Sequence, residues 1–146
     1  ISPKYNDINA DQIPIVDLKN GKIKIISGKF SGVIGPGKPH TGMLYFDILL
    51  NAGSDLILPI ENGWNGFIYV YNGSINILDK QINKTHLAVL TQEGKLKLHS
   101  KEQEARFILV AGEPLNEPVA RGGPFVMNTK SEVLQAFSDY QEGKFA

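Results

Sequence analysis

The 146-residue sequence predicts an all-β fold, a jelly-roll barrel of two packed sheets with one α-helix at its C-terminal end. Three observations carry this. Short segments that alternate polar and apolar residues recur at roughly ten-residue spacing, as in a sandwich or barrel. Turn pairs such as Asn20-Gly21, Asn72-Gly73 and Glu93-Gly94 separate them. A capped amphipathic pattern occurs once, after residue 128, so a single helix is expected. A jelly roll suits so many short strands because two packed sheets manage their own edges.

The elements follow in chain order. Residues 1–12 read as a linker, since Pro3, Asn6, Asp7 and Asn9 break any pattern. With a start at Ile1 rather than Met, this linker is expected to follow a missing N-terminal domain. Lys22–Ile26 comes after the Asn20-Gly21 turn and alternates. Met43–Leu50 places Leu44, Phe46, Ile48 and Leu50 on one face. Leu56–Leu58 is short and stops at Pro59. Phe67–Tyr71 is β-branched and aromatic, and Asn72-Gly73 is expected to join it to Ser74–Leu78 as a hairpin. His86–Leu90 and Lys95–His99 come next, the latter with Leu96 and Leu98 inward and Lys95, Lys97 and His99 outward. Arg106–Ala111 is the last expected strand.

From Gly112 to Asn128 the chain is expected to be neither strand nor helix. Pro114, Pro118 and Pro124 fix φ and remove backbone donors, while Gly112, Gly122 and Gly123 open other angles. Loops of this length are usually functional or disordered. Val119, Phe125, Val126 and Met127 give this one side chains that can pack. The helix then starts at a Thr129–Glu132 capping box, carries a stripe of Val133, Leu134, Phe137 and Tyr140, and stops at Gly143. The expected division is a linker at 1–12, a barrel with its following loop at 13–128, and a helix and tail at 129–146.

Fifteen basic and fifteen acidic residues cancel, so no net field draws the chain to nucleic acid. Absent cysteine rules out disulfides, thiolate ligands and cysteine nucleophiles. No apolar run is long enough to span a membrane and no signal peptide is expected, so a cytoplasmic location is expected, or a nuclear one in a eukaryote. Gly32 to Lys38 has the spacing of a phosphate loop, but Pro39 stands where the magnesium-binding hydroxyl belongs, and a simple connecting loop is the better reading. Glu113 lies between Gly112 and Pro114 and is expected to shape the loop through Arg106 or Arg121. Trp64 and Tyr69 are candidates for a pocket that holds a flat aromatic ligand. Phe67, Tyr69 and Tyr71 share one face by alternation, either lining a pocket or packing against another domain.

The wording AGEPLNEPV, followed by GPFVMNT and by EVLQAFSDYQEGKF, resembles the C-terminal signature of the pirin family. The PKY opening, GMLYFDILLNAG and the GW-x2-FIY segment are similar to it as well. The resemblance implies a cupin barrel, the second of two, behind an N-terminal cupin that holds iron through histidines and a glutamate. It implies quercetin 2,3-dioxygenase-like activity and, in eukaryotic members, transcription coregulation for the whole protein. For this half it implies no catalytic residue, no cofactor and a supporting role.

The metal motif of cupins, G-x5-H-x-H-x4-E-x6-G, was laid on the chain with its outer glycines at Gly53 and Gly73. Its ligand positions then fall on Pro59, Glu61 and Gly66. A second motif started at Gly94 places its proline on Ser100 and its histidine on Ala105. No metal site is therefore expected, and convergence of His40, His86 and His99 with Asp47 or Glu61 is the remote alternative. The apolar loop and the striped helix exceed what one small barrel needs, and such surface marks an interface. Phe125, Val126, Met127, Phe137 and Tyr140 are the residues expected to dock on the N-terminal cupin. A free-standing binder of small aromatic molecules is the alternative.

Overall fold

The computed structural model describes residues 5–92 and 95–145. They fall into two compact units, 7–114, and 115–145 with 5–6. The expected turn at Glu93-Gly94 lies outside the described residues, as do Ile1 to Lys4 and Ala146.

The first unit begins with a 3-10 turn at Ala10–Gln12. Its strands are β1 (Ile15–Leu18), β2 (Gly21–Ser27), β3 (Lys29–Phe30), β4 (Val33–Ile34), β5 (Met43–Leu50), β6 (Asp55–Pro59), β7 (Asn65–Asn72), β8 (Ser74–Ile77), β9 (Lys80–Asn83), β10 (Leu87–Val89), β11 (Lys95–Ser100) and β12 (Ala105–Gly112). Six form one sheet in the order β1-β2-β5-β12-β7-β10, and four form another in the order β6-β11-β8-β9. All these pairings are antiparallel.

Both sheets turn their apolar alternation toward one core. From the six-stranded sheet come Ile23, Ile25, Phe46, Ile48, Ile68, Val70, Phe107 and Leu109. The four-stranded sheet supplies Leu56, Leu58, Ile75, Leu96 and Leu98. The period of two in the sequence is thus spent on this interior, as in a jelly roll.

One expectation fails at an informative place. Asn72-Gly73 does not close a hairpin. β7 pairs with β12 and β10, whereas β8 pairs with β11 and β9 in the other sheet. The pair marks a corner at which the chain changes sheets. Gly73 has φ +67, and a methyl group on it would fall on the Glu104 carbonyl oxygen. The pairing of β7 with β12 shifts register between Arg106 and Phe107, which is how the bulged strand bends out of its sheet. Local turn chemistry asks only for a positive φ, and a sheet corner asks for the same thing.

Four further strands of this unit went unpredicted. β1 and β9 mix charge with apolar residues, and β3 and β4 are two residues long. β9 follows β8 through Leu78, which sits in the left-handed region at φ 52 and is 85% exposed.

The second unit is a hairpin and a helix. The segment expected to be irregular contains β13 (Ala120–Gly122) and β14 (Phe125–Met127), paired from Ala120↔Met127 to Gly122↔Phe125. Helix α1 (Lys130–Gln141) starts at the expected capping box. The Thr129 hydroxyl oxygen accepts from the Glu132 amide at 3.2 Å, and the Glu132 carboxylate accepts from the Thr129 amide at 2.8 Å. Gly143 follows the C-cap with φ 72 and donates its amide to the Tyr140 carbonyl. Val133 and Ala136 form the buried side of α1, while Leu134 and Tyr140 are exposed.

Candidate functional site

A cupin metal would sit in the barrel interior. On β6 the inward residues are Leu56 and Leu58, and Pro59 is exposed. The motif alignment therefore places its first histidine position on the outer face, since a slip of one residue reverses every side chain on a strand. The inward neighbours of that position are all apolar, and Ala105 at the last ligand position is fully buried in the core. Ser100 is buried too, with its hydroxyl donating to the Asn51 carbonyl and accepting from the Ser54 amide.

The histidines do not converge. His40 is exposed in a loop, His86 bonds to the Lys84 carbonyl at 3.0 Å, and His99 meets Asp55 at 2.9 Å on the outside of its sheet. Among the described residues no three of His, Cys, Asp and Glu are grouped as a metal site. These side chains do not fit an iron centre, which needs imidazole and carboxylate ligands facing open positions.

An open cleft of about 650 Å³ lies in the barrel unit, lined by Ile34, Pro39, Met43, Leu44, Pro59 and Trp64, with Lys29, Thr41 and Glu61 as its polar side chains. That volume is within the ~300–1,000 Å³ of small-molecule sites. The indole of Trp64 is held by close packing on Gly42, where an added Cβ would stand 2.5 Å from Cζ2. Trp64 is thus a fixed wall of the cleft. Tyr69 is not with it. It lies on the outer face of the six-stranded sheet, opposite Ile108 and Leu87, because β7 turns Ile68 and Val70 inward.

A polar cluster crosses that outer face. The Tyr71 hydroxyl donates to Asp47 Oδ1 at 2.6 Å, and Lys24 Nζ stands 3.8 Å from Asp47 Oδ2. Burial, the hydrogen bond to Asp47 and the Asp47 charge push the Tyr71 phenol up to about 12 from its ordinary 10.0. Arg106 pairs with Glu104 at 2.8 Å rather than with Glu113. Glu104 lies two residues away on the same side of an extended chain, which makes it the nearer partner. Glu113 is tied through its backbone instead, its amide donating to the Gly42 carbonyl at 3.0 Å.

The second unit gathers the residues expected to dock. Phe125 meets Phe137 edge to face at 5.0 Å, Tyr140 at 6.2 Å and Phe145 in a stack at 5.9 Å. Gly122 and Gly123 lie against Phe137, so the hairpin can approach the helix closely. Phe125 and Phe137 thus pack on each other within this unit, with Phe125 half-buried and Phe137 still 36% exposed. Val126 and Tyr140 remain 62% and 67% exposed, and Met127 is half-buried.

Residues 45–146 match the sequence model of the family described as Pirin C-terminal cupin domain. The chain belongs to the pirin family. This pirin-family cupin is 35% identical to Pirin of Mus musculus over 99% of its own length and 51% of the relative's. A pirin-like protein of Solanum lycopersicum is 35% identical over 99% of this chain and 51% of its own. Among solved structures, quercetin 2,3-dioxygenase from Acinetobacter baumannii superposes with a TM-score of 0.88 at 29% identity, covering 98% of this chain and 51% of that one. The pirin-family chain thus spans about half the length of the relatives it matches. Among the described residues no helix is long and apolar enough to cross a membrane.

Proposed function

We propose that this chain is the non-catalytic, metal-free cupin of a two-cupin protein, and that it supports an iron-binding N-terminal cupin by docking against it. The observation that carries this reading is the barrel interior. Where a metal cupin projects ligands, this one presents Leu56, Leu58 and Ala105 among other buried apolar side chains. Quercetin 2,3-dioxygenase-like chemistry, and transcription coregulation in a eukaryotic context, then belong to the whole protein through its other half.

Two measurements test this. Iron is quantified in the chain alone and in the protein with its N-terminal half, both purified without an affinity tag. Iron is expected only in the longer form, and stoichiometric iron in the chain alone refutes the reading. Val126→Asp with Tyr140→Asp in the longer form is expected to lower the melting temperature of the iron-binding half and leave its iron content intact. Serine at Phe125 or Phe137 is a poorer probe, because these rings pack on each other within the hairpin and helix.

A second reading is favoured by the placement of Trp64. A flat aromatic ligand stacked on its indole, with Lys29 and Glu61 as polar contacts, suits the cleft. Trp64 is the only tryptophan, so its fluorescence reports the cleft directly. Saturable quenching by planar aromatic compounds, corrected for the inner-filter effect, supports this reading, and quenching that never saturates dismisses it.

A further inference from the structure

The cleft of the barrel unit has two unlike ends. At one, the Trp64 amide donates to the Glu61 carbonyl at 3.2 Å, so a single turn carries both the indole and an acid. The other is built from Gly28 and Lys29, with Gly37 bridged to the preceding Ser27. Backbone contacts fix this second end. The Gly37 amide donates to the Ile26 carbonyl at 2.8 Å and the Gly35 amide to the Gly28 carbonyl at 2.9 Å. Trp64 packs on Gly42 and Gly28 packs on Leu44, two residues further on. At ~3.4 Å per extended residue the two ends stand roughly 7 Å apart. Charge divides the same way. Lys29 lines one end and Glu61 the other, and among the described residues neither has an ion-pair partner. Lys38 stands between the lining residues Gly37 and Pro39 and adds positive charge to the loop there. Ser27 is 4% exposed, and its hydroxyl has no hydrogen-bond partner among the described residues. Buried hydroxyls are as a rule bonded. Gly37 lies directly on this one, since a Cβ added to it would stand 3.2 Å from Ser27 Oγ. The two lining residues next to Ser27 are thus glycines, which bring no side chain between it and the cleft.

We propose that the cleft takes an aryl carboxylate, its ring on Trp64 and its carboxylate at the end formed by Lys29 and Ser27. The proposal rests on the second reading above, that of a flat aromatic ligand, and gives that ligand a charge and an orientation. An ammonium and a hydroxyl are both donors, and an ionised carboxylate offers acceptors alone. Glu61 repels the same group from the indole end, so the reversed orientation is disfavoured. A neutral aromatic compound would leave both donors unanswered, and an aromatic cation would meet Lys29 and Lys38. The separation of roughly 7 Å suits one ring or two fused rings with the acid on the long axis. Ile34, which lines the cleft and is 68% exposed, supplies apolar surface for the ring beside the indole.

The test uses the indole N–H signal of Trp64 in proton–nitrogen correlation spectra, which is unambiguous because the chain has one tryptophan. Its displacement is titrated with 2-naphthoate, 2-naphthamide and 2-naphthylmethylammonium, which share a ring system and differ in charge. Exposed ion pairs are weak in water, so naphthoate is expected to bind severalfold more tightly than naphthamide at low salt. Lys29→Gln should bring naphthoate down to the affinity of naphthamide, and Ser27→Ala should weaken it severalfold. Lys97→Gln removes the same charge from the outer face of the four-stranded sheet and should do neither. Equal losses in Lys29→Gln and Lys97→Gln would reduce the effect to net charge and overturn the proposal. Saturable binding with equal affinity for acid and amide keeps the flat aromatic reading and removes the carboxylate. Tighter binding of the ammonium also overturns the proposal and puts the ligand's charge at Glu61. Full affinity in Ser27→Ala refutes the end assigned to the carboxylate. Absence of a saturable shift with all three compounds sinks the aromatic reading, and this proposal with it.

Discussion

Gly53 and Gly73 share a conformation and differ in their surroundings, which makes them a matched pair. Their φ angles are +64 and +67. A methyl group on Gly53 would meet only the Lys101 carbonyl oxygen at 3.9 Å, an ordinary contact. On Gly73 it would fall on the Glu104 carbonyl oxygen and within 3.1 Å of Ala105 Cα. Alanine costs roughly 1–2 kcal/mol in the left-handed region at either site. The gain from a stiffer unfolded chain, about 0.4–1 kcal/mol, is likewise common to both. The clash at Gly73 is with backbone, which cannot turn aside as a side chain can, so an overpacking cost of about 1–3 kcal/mol is added there alone. Gly73→Ala is therefore expected to destabilise the barrel by about 2 kcal/mol more than Gly53→Ala. Urea denaturation followed by Trp64 fluorescence measures the difference within the barrel unit. Equal midpoints and slopes for the two variants would refute the tight corner between the sheets.

Three other predictions follow from local geometry. The Tyr71 phenol should ionise late in a titration at 295 nm, and Asp47→Ala should bring it only part of the way back, because burial is the larger cause. Its folded pKa lies above the unfolded value, so its contribution to stability is complete below pH 10 and is lost as pH rises toward about 12; Tyr71→Phe should flatten that loss in denaturation midpoints. Thr129→Ala removes the reciprocal cap of α1 and should cost about 1 kcal/mol, seen as faster hydrogen exchange at the Glu132 amide, with Thr129→Ser restoring protection. Gly42→Ala should force the Trp64 ring aside, since the new Cβ stands 2.5 Å from Cζ2; a shifted Trp64 emission maximum checks this, and an unchanged one argues against the packed wall.

Strand identity was legible wherever a segment buried one face. β5 was read with its observed bounds, Met43–Leu50, because four alternate residues face the core. β11 was read nearly whole, with its lysines outward. The short strands escaped because they bury little. β3 and β4 have two residues each, too few to show a period. The sheet assignment of β7 and β8 escaped for another reason. Asn72-Gly73 reports a local φ, and the identity of the strand lying across from Tyr71 depends on residues more than thirty positions away in β12. The hairpin of β13 and β14 was hidden by its own prolines and glycines, which mark a loop by composition and here close a turn against α1. Trp64 lines the cleft, and in the sequence it stands alone between a turn and a strand. Tyr69 was grouped with it by proximity in sequence, although strand alternation already put Tyr69 opposite to Ile68 and Val70.

That alternation also bears on which surfaces of the domain work. Ile68 and Val70 suffice to bury one side of β7, so nothing in the barrel core requires Phe67, Tyr69 and Tyr71 on the other side. A strand exposed to water on its outer face can use lysine there, as β11 does with Lys95 and Lys97 at no cost to the core. On β7 the same outer face carries Phe67 and Tyr69, half-buried and paired with Val110 and Ile108 of β12, and Tyr71, which bonds to Asp47. The interior, meanwhile, carries apolar residues at positions where polar ligands would each need a hydrogen-bonding partner to offset desolvation. The interior so filled is a packing core.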